Sequence, residues 1–297
     1  MNNRPGKKVR LSTTVIQKTG RRSRTDQIAV EEPLEIRLLA GQERKTIAVT
    51  MRTPGADFEL TAGFLYSEGV IAGRTDIRTI RYCLDPTVDT TQQYNIVNVT
   101  LARQTLPEIP QLERHFYTSS ACGVCGKASI EAIQVRGGPP IEPGMIVTPQ
   151  TLFELPTQLS ANQRLFADTG GVHAAGLFTV DGKLVALRED VGRHNALDKL
   201  IGWALMQNRL PLSHHLVMVS GRASYEILQK CVAAGLPLVC SVSAPSSLAV
   251  DVARSFGMTL VGFLRGETFN IYAGAERIVH DQESPLVSRL SNSAAEP

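Results

Sequence analysis

Two cysteines separated by two residues are the part of this sequence best suited to chemistry. Cys122 and Cys125 lie in the stretch S-S-A-C-G-V-C-G-K, which spans residues 119–127. A Cys-x-x-Cys pair serves as half of a metal site, as a dithiol redox centre, or as a nucleophile that carries sulfur. The spacing by itself leaves these three uses open.

The residues around the pair favour reactive thiols over a purely structural pair. A helix is predicted over residues 128–135, so the thiols precede a helix N-terminus, where backbone N–H groups and the helix dipole stabilise a thiolate. Lys127 adds a positive charge, and Gly123 and Gly126 leave the sulfur atoms unshielded. The other three cysteines have apolar neighbours and are predicted to be core residues: Cys83, Cys231 and Cys240.

Four polar stretches follow predicted strands or precede predicted helices, where functional groups of α/β proteins gather. They are T-G-G-V-H (169–173), R-E-D-V-G-R-H-N (188–195), S-G-R-A-S (220–224) and S-A-P-S-S (243–247). Helix starts rich in Ser and Gly, with Arg193 and Arg222 beside them, suit a ligand that bears phosphate. Local evidence equally allows Ser246 as a helix cap, Asp190 as a hydrogen-bonded loop carboxylate and His194 as a packing residue.

A tight strand–turn–strand unit over residues 262–272 has a single arginine at its tip. It is either an ordinary hairpin or a turn whose backbone and arginine hold a nucleotide, and the sequence does not separate these. The candidate binding residues of the turn are Phe263, Leu264, Arg265, Gly266, Glu267 and Thr268.

The elements that must position these residues are predicted from hydrophobic periodicity. Alternating apolar residues predict strands over residues 28–53, and one apolar face predicts a helix over residues 57–67. Residues 1–27 form a basic arm that we expect to be disordered, and residues 28–117 form an α+β subdomain. The Cys-x-x-Cys loop, a helix and a linker occupy residues 118–145. An α/β domain follows over 146–280, and a frayed tail over 281–297. The order of helices and strands in the α/β domain predicts a three-layer sandwich with a mixed sheet.

The composition is that of a globular protein: 297 residues, 43% hydrophobic and 20% charged. Residues 1–27 hold eight Lys or Arg and one acidic residue, although the net charge of the chain is only +3. This arm could meet an anionic partner or could simply be solvated. No apolar run approaches the ~18 residues of a membrane span. No apolar segment follows Arg21-Arg22, so we expect no signal peptide, and the free thiols predict a cytoplasmic location.

Taken in order, seven segments of the chain resemble the formate dehydrogenase accessory protein family (FdhD/NarQ), sulfurtransferases of molybdenum-cofactor maturation. The resemblance extends over about residues 26–280. The segments are D-F-E-L-T-A-G-F-L-Y-S-E-G (57–69), S-S-A-C-G-V-C-G (119–126), T-G-G-V-H-A-A (169–175), R-E-D-V-G-R-H-N-A-L-D-K (188–199), S-G-R-A-S-Y-E-I (220–227), S-A-P-S-S-L-A (243–249) and G-F-L-R-G-E-T-F-N-I-Y (262–272).

The resemblance implies a cytidine-deaminase-like α/β sandwich with an additional N-terminal subdomain, usually as a homodimer. It implies that a cysteine desulfurase hands sulfur to Cys122 as a persulfide, with a less firm role for Cys125. The sulfur then passes to the bis-molybdopterin guanine dinucleotide cofactor of molybdenum that the catalytic subunit of formate dehydrogenase needs. The family's cofactor contact falls on residues 263–268, and we expect His194 and Arg222 to face the same pocket. GDP would act as a partial mimic of the cofactor, and no nucleic-acid partner is expected.

The fold analogy also tests the metal interpretation of the cysteine pair. Zinc deaminases use His-x-Glu followed later by Pro-Cys-x-x-Cys. Here the pair precedes the histidines and has no preceding proline, while His173 and His194 are each followed two residues later by Ala. We therefore expect no metal bound by the protein itself. Two alternatives to sulfur transfer stay open: a dithiol–disulfide oxidoreductase, and a chaperone that only binds the cofactor.

Overall fold

The computed structural model describes residues 6–83, 85, 87–89, 92–108 and 138–279. The Cys-x-x-Cys loop, the helix predicted over 128–135 and the tail 281–297 lie outside the described residues. Contacts between Cα atoms divide the chain into two compact units. The first holds Met1–Gly138, Asn162–Ala175 and Leu187–Leu210, and the second holds Pro139–Ala161, Gly176–Ala186 and Pro211–Pro297.

Twelve strands and six helices run through the described residues. The strands are β1 (Lys8–Gln17), β2 (Gly20–Ala29), β3 (Glu32–Ala40), β4 (Glu43–Arg52), β5 (Ile77–Tyr82), β6 (Ile96–Leu101), β7 (His173–Thr179), β8 (Leu184–Asp190), β9 (His215–Val219), β10 (Leu238–Ser241), β11 (Thr259–Arg265) and β12 (Thr268–Ala273). The helices are α1 (Asp57–Ser67), α2 (Pro149–Asn162), α3 (Arg164–Thr169), α4 (Arg193–Met206), α5 (Tyr225–Ala233) and α6 (Ser247–Ser255).

The first unit contains a four-stranded mixed sheet in the order β4-β3-β6-β5. Strand β3 pairs antiparallel with β4 and parallel with β6. Alternate side chains of β3 point into the core, where Leu34, Ile36 and Leu38 are fully buried. The alternating pattern predicted these strands.

Helices α1 and α4 of the first unit cross at two glycines. A Cβ atom added to Gly63 would lie 1.9 Å from the carbonyl oxygen of Asp198, and one added to Gly202 would lie 1.8 Å from that of Glu59. No side chain fits at such distances, so the two backbones approach more closely than any other residue would allow. The predicted helix Asp57–Ser67 and the segment R-E-D-V-G-R-H-N-A-L-D-K are held together by this crossing.

The basic arm differs from its predicted disorder. Strands β1 and β2 pair along their whole length, from Lys8 opposite Ala29 to Gln17 opposite Gly20. The two residues between the strands, with Gly20 at φ 133°, make a hairpin turn. Apolar and polar side chains alternate only from Lys8 to Leu11, and three polar residues then interrupt the period of a strand. This short pattern and the charge of the arm explain why the sequence did not predict the strand.

The second unit contains most of a six-stranded mixed sheet in the order β12-β11-β10-β9-β7-β8. The chain passes from one unit to the other within β7 and again within β8. Strand β10 is parallel to both β9 and β11, while β12 closes the edge antiparallel to β11. The predicted mixed α/β class is confirmed. None of the helices in the described part of the chain is both long and apolar enough to cross a bilayer.

Candidate functional site

The carboxyl ends of three parallel strands meet at one edge of the sheet in the second unit. Strand β10 pairs in parallel with its two neighbours, so the segments that follow β9, β10 and β11 emerge side by side. The backbone N–H of Ser246 donates to the carbonyl of Ala223 at 2.9 Å. The N–H of Phe263 donates to the carbonyl of Ser243 at 3.2 Å. The structure thus joins the polar stretches 220–224 and 243–247 to the turn 263–268.

The side-chain hydroxyl of Ser241 joins two of these segments. It is fully buried at the end of β10, and its Oγ lies 2.7 Å from the carbonyl oxygen of Gly221 and 3.0 Å from that of Ser243. The same oxygen accepts the backbone N–H of Ser243 at 3.1 Å. Sequence reasoning missed this residue, although a serine that closes the apolar run Leu238–Cys240 is a usable signal.

Arg265 is held in place by a backbone carbonyl. Its Nε donates to the carbonyl oxygen of Val242 at 2.8 Å, while the side chain is exposed. This bond fixes the guanidinium plane and leaves the two terminal nitrogens in a position to donate two parallel hydrogen bonds to a phosphate. A carbonyl partner of this kind cannot be identified from sequence.

Phe263 has an unusual backbone for a bulky residue. Its φ is 53°, in the left-handed region, at an irregularity in the pairing of β11 with β12 between Gly262 and Arg265. Holding a non-glycine residue there costs of the order of 1–3 kcal/mol, and such strain is concentrated at functional sites. The side chain is 40% exposed, so a flat aromatic face is available two residues before the arginine.

The remaining candidates of the turn contribute in different ways. The Leu264 side chain is fully buried, so only its backbone is available to a ligand. Gly266 has φ 53°, and the hydroxyl of Thr268 donates to the carbonyl of Arg265 at 3.3 Å. Glu267 and Arg222 are exposed. Ser246 caps helix α6 by accepting the N–H of Ala249 at 3.3 Å, which is the capping role considered for it.

In the first unit, a buried ion pair organises the start of helix α4. The carboxylate of Asp190 lies 2.6 Å from Nζ of Lys199, and both side chains are almost fully buried. Asp190 also accepts the backbone N–H groups of Thr53 and Gly192 and the side-chain amide of Asn195. Asp190 is therefore a hydrogen-bonded loop carboxylate, as one interpretation of the sequence had it.

Lys199 was missed by sequence reasoning. Its Nζ donates to the carbonyl of Thr53 at 2.8 Å in addition to Asp190. Burial lowers the pKa of Lys199, while the charge of Asp190 and their hydrogen bond act in the opposite direction. Lys199 lies in helix α4, where nearly every residue from Asn195 to Leu205 is buried, and a lysine gives no sequence signal for such burial.

Two histidines lie near this helix start. Burial and the charge of Arg193 lower the pKa of His173, and the charge of Asp190 raises it in part. His194 lies in the first turn of α4 and is half-buried. His194 belongs to the first unit, whereas Arg222 and the turn 263–268 belong to the second.

The described cysteines are unsuited to nucleophilic chemistry. Cys83, Cys231 and Cys240 are free thiols, and all three are buried, as predicted. Burial raises the pKa of the Cys231 and Cys240 thiols far above neutrality, so neither ionises at physiological pH. The described residues also contain no group of three or more His, Cys, Asp or Glu side chains that could hold a metal ion.

Proteins of known family share this sequence over most of its length. A "Sulfur carrier protein FdhD" of Streptomyces coelicolor is 55% identical over 259 residues, which cover 86% of this chain and 90% of the relative. The protein of the same name from Sulfurisphaera tokodaii is 44% identical over 254 residues, covering 86% of this chain and 92% of the relative.

A solved structure shares the fold as well. It comes from Desulfotalea psychrophila and is described as a formate dehydrogenase accessory protein, with a TM-score of 0.71 and 26% identity over 92% of this chain and 100% of that chain. The profile of the FdhD/NarQ family matches residues 29–279, which include the strand-end edge, the α4 start and the Cys-x-x-Cys loop. The chain belongs to the FdhD/NarQ family.

Proposed function

We propose that this protein is a sulfurtransferase that accepts sulfur as a persulfide on Cys122 and delivers it for the maturation of formate dehydrogenase. The names of its relatives support sulfur carriage. The observation that carries the assignment to Cys122 and Cys125 is the burial of the other three of the five cysteines. Sulfur carriage needs an accessible thiolate, and none of those three provides one.

The loading step is a thiol–persulfide exchange with a cysteine desulfurase. The Cys122 thiolate attacks the outer sulfur of the donor's persulfide, a new S–S bond forms, and the donor's S–S bond breaks with its cysteine leaving as a thiolate. The donor cysteine picks up the proton that the Cys122 thiol lost. No external oxidant or reductant is required, because the sulfane sulfur keeps its oxidation state.

Cys125 has a release role in this proposal. Its thiolate attacks the Cys122 sulfur, forms a Cys122–Cys125 disulfide and expels the carried sulfur as hydrosulfide. The two cysteines lose two electrons and the sulfane sulfur gains them. A thiol reductant then restores the pair before the next cycle.

The acceptor in this proposal is the bis-molybdopterin guanine dinucleotide cofactor of molybdenum, bound as substrate at the strand-end edge. The residues suit its nucleotide part: Arg265 presents its guanidinium for phosphate, and Phe263 presents an exposed ring for a base. Backbone N–H groups at a flexible glycine turn add donors for phosphate oxygens. Arg222, in the same unit as the turn, stays a candidate for this ligand, and His194, in the first unit, stays a predicted binding residue. The proposed assembly is a homodimer.

The test is to incubate the protein with a cysteine desulfurase and cysteine labelled in its sulfur, and then to measure intact mass. A single added sulfur that maps to Cys122 and is removed by a thiol reductant supports the proposal. An oxidoreductase would show only loss of two hydrogens. A chaperone would show no adduct and would function with both cysteines replaced. Either of these results overturns the sulfur-transfer mechanism.

A further inference from the structure

A single peptide group lies between the buried end of strand β10 and the exposed arginine of the turn 263–268. This group consists of the carbonyl of Val242 and the N–H of Ser243. The carbonyl oxygen accepts a hydrogen bond from Nε of Arg265 at 2.8 Å, and the N–H donates to Oγ of Ser241 at 3.1 Å. Because a peptide group is planar and rigid, the side chains of Ser241 and Arg265 hold the same plane from its two sides.

The hydroxyl of Ser241 is fixed by backbone groups. Its side chain is fully buried, and a buried hydroxyl is costly unless it is hydrogen-bonded. The hydroxyl donates its hydrogen toward the carbonyl oxygens of Gly221 at 2.7 Å and Ser243 at 3.0 Å, while its oxygen accepts the N–H of Ser243. These partners belong to the segments that follow β9 and β10, so the hydroxyl is fixed relative to both strand ends.

The turn 263–268 packs against the same backbone. A Cβ atom added to Gly262 would lie 3.2 Å from the carbonyl oxygen of Ser243, and the N–H of Phe263 donates to that oxygen at 3.2 Å. The left-handed φ of Phe263, 53°, follows this close approach directly. The orientation of residues 242 and 243 therefore determines where the turn begins and where Arg265 finds its acceptor.

We propose that Ser241 is a positioning residue of the nucleotide site, and that it acts on Arg265 through the Val242–Ser243 peptide group; this inference rests on the proposed function. Ser241 is buried, so its effect on a ligand is indirect. Hydrogen bonds run in series from Arg265 through the peptide group and the Ser241 hydroxyl to the carbonyl of Gly221, and bonds in such a series strengthen one another. The series restricts an exposed guanidinium before a ligand arrives, so less conformational entropy is lost when phosphate binds.

The experiment measures the Kd for GDP by calorimetric titration of the full chain and its variants. Ser241→Ala should weaken binding about threefold to tenfold, because Arg265 is still present but the peptide group that it contacts is free to rotate. The matched control is Thr259→Val, which removes a buried hydroxyl that donates to the carbonyl of Gly274 at 2.7 Å, at the other end of strand β11. This control should change the Kd by less than about twofold, even where it lowers the Tm as much as Ser241→Ala does.

A double-mutant cycle separates an action through Arg265 from a general loss of structure. In the Arg265→Ala background, Ser241→Ala should change the Kd by less than about twofold, because the side chain that Ser241 positions is gone. Ser241→Cys keeps a side chain of similar size with a weaker donor and acceptor, and its Kd should lie between those of the unaltered protein and Ser241→Ala. If Ser241→Ala does not fold, Ser241→Cys takes its place in the cycle.

Three results overturn the role of Ser241: an unchanged Kd in its variants, an equal loss of affinity in Thr259→Val, or the same loss with and without the Arg265 side chain. GDP binding by the unaltered protein distinguishes the two levels. If the unaltered protein binds no GDP, the nucleotide site of the proposed function fails, and the role of Ser241 fails with it. If Arg265→Ala weakens binding and the Ser241 variants bind normally, only the role of Ser241 is wrong.

Discussion

At the scale of single residues, ionisation separates the cysteines of this chain. A thiol accepts sulfur only as a thiolate, and burial disfavours that form. Cys231 and Cys240 fill the core, and this burial raises their pKa, so both thiols stay protonated and do not accept sulfur. We propose Cys122 as the reactive thiol, and the sequence sets it beside Gly123 and near Lys127.

Cys122→Ala should abolish sulfur loading and formate dehydrogenase maturation while the Tm stays unchanged. The proposed reaction has no second nucleophile for the first step, and the small neighbours Ala121 and Gly123 in the sequence predict little loss of apolar packing. Cys240→Ala is the matched control. It should cost about 1 kcal/mol in the free energy of unfolding and keep full loading, because it shortens a buried side chain. Loading by Cys122→Ala, measured by intact mass, would contradict the assignment.

Arg265→Ala should weaken GDP binding about tenfold to a hundredfold, since a charge-assisted contact to phosphate contributes about 1.5–3 kcal/mol. Arg265→Lys should restore only part of the lost affinity, because an ammonium group can neither form a bidentate contact with phosphate nor keep the Nε contact to the carbonyl of Val242. Calorimetric titration of GDP gives the affinities. Arg254→Ala, which removes another exposed arginine of the same unit, is the control. If Arg265→Ala binds GDP with unchanged affinity, the turn has a structural role and does not bind the nucleotide.

His173 should make folding stability depend on pH. Burial and Arg193 lower its pKa in the folded state, whereas the unfolded chain titrates near 6.5. At a pH between these two pKa values, the unfolded state binds more protons than the folded state. The contribution of neutral His173 to folding stability is therefore complete above pH 6.5 and is lost as the pH falls. His173→Gln should therefore lose less stability than the unaltered protein between about pH 7.5 and about pH 5. Urea unfolding measures this, with exposed His214→Gln as the control. An equal loss of stability by His173→Gln and by the unaltered protein would contradict this prediction.

At the scale of elements, close backbone contacts and buried ion pairs position helices α1 and α4 of the first unit. Helix α1 crosses α4 at Gly63 and Gly202, and the pair Asp190–Lys199 ties the start of α4 to the carbonyl of Thr53. Arg52, also fully buried, bonds to Asp57 at the start of α1. Breaking a buried ion pair of this kind usually costs about 3–5 kcal/mol.

Gly63→Ala should destabilise the protein by about 2 kcal/mol or more, because its Cβ would overlap the carbonyl of Asp198 and push the two helices apart. Gly73→Ala is the control, since a Cβ there has no atom within 4 Å among the described residues. Urea or thermal unfolding compares the two variants. A Tm for Gly63→Ala equal to that of Gly73→Ala would show that the crossing is loose.

At the scale of the whole molecule, the candidate site residues are divided between the two units. His194 and the α4 start lie in the first, and Arg222 and the turn 263–268 lie in the second. The family resemblance implies a homodimer, and we expect a solution mass of twice the 32.3 kDa of one chain. Sedimentation equilibrium measures this mass.

The sequence by itself determined the family, the mixed α/β class and some of the regular elements. Helix Asp57–Ser67 and the paired strands from Glu32 to Arg52 follow from periodicity, because one buried face imposes its period on the chain. It also separated the core cysteines from the Cys-x-x-Cys pair, because apolar neighbours in a chain mark burial.

Tertiary structure alone decided the contacts between segments far apart in sequence. The carbonyl of Val242 that holds Arg265 and the buried pair Asp190–Lys199 depend on where strands end and which helix covers them. The left-handed backbone of Phe263 and the ribbon of β1 and β2 are further examples. The local sequence pattern predicts which residues are buried, whereas strand order and register determine which buried or strained residues contact each other.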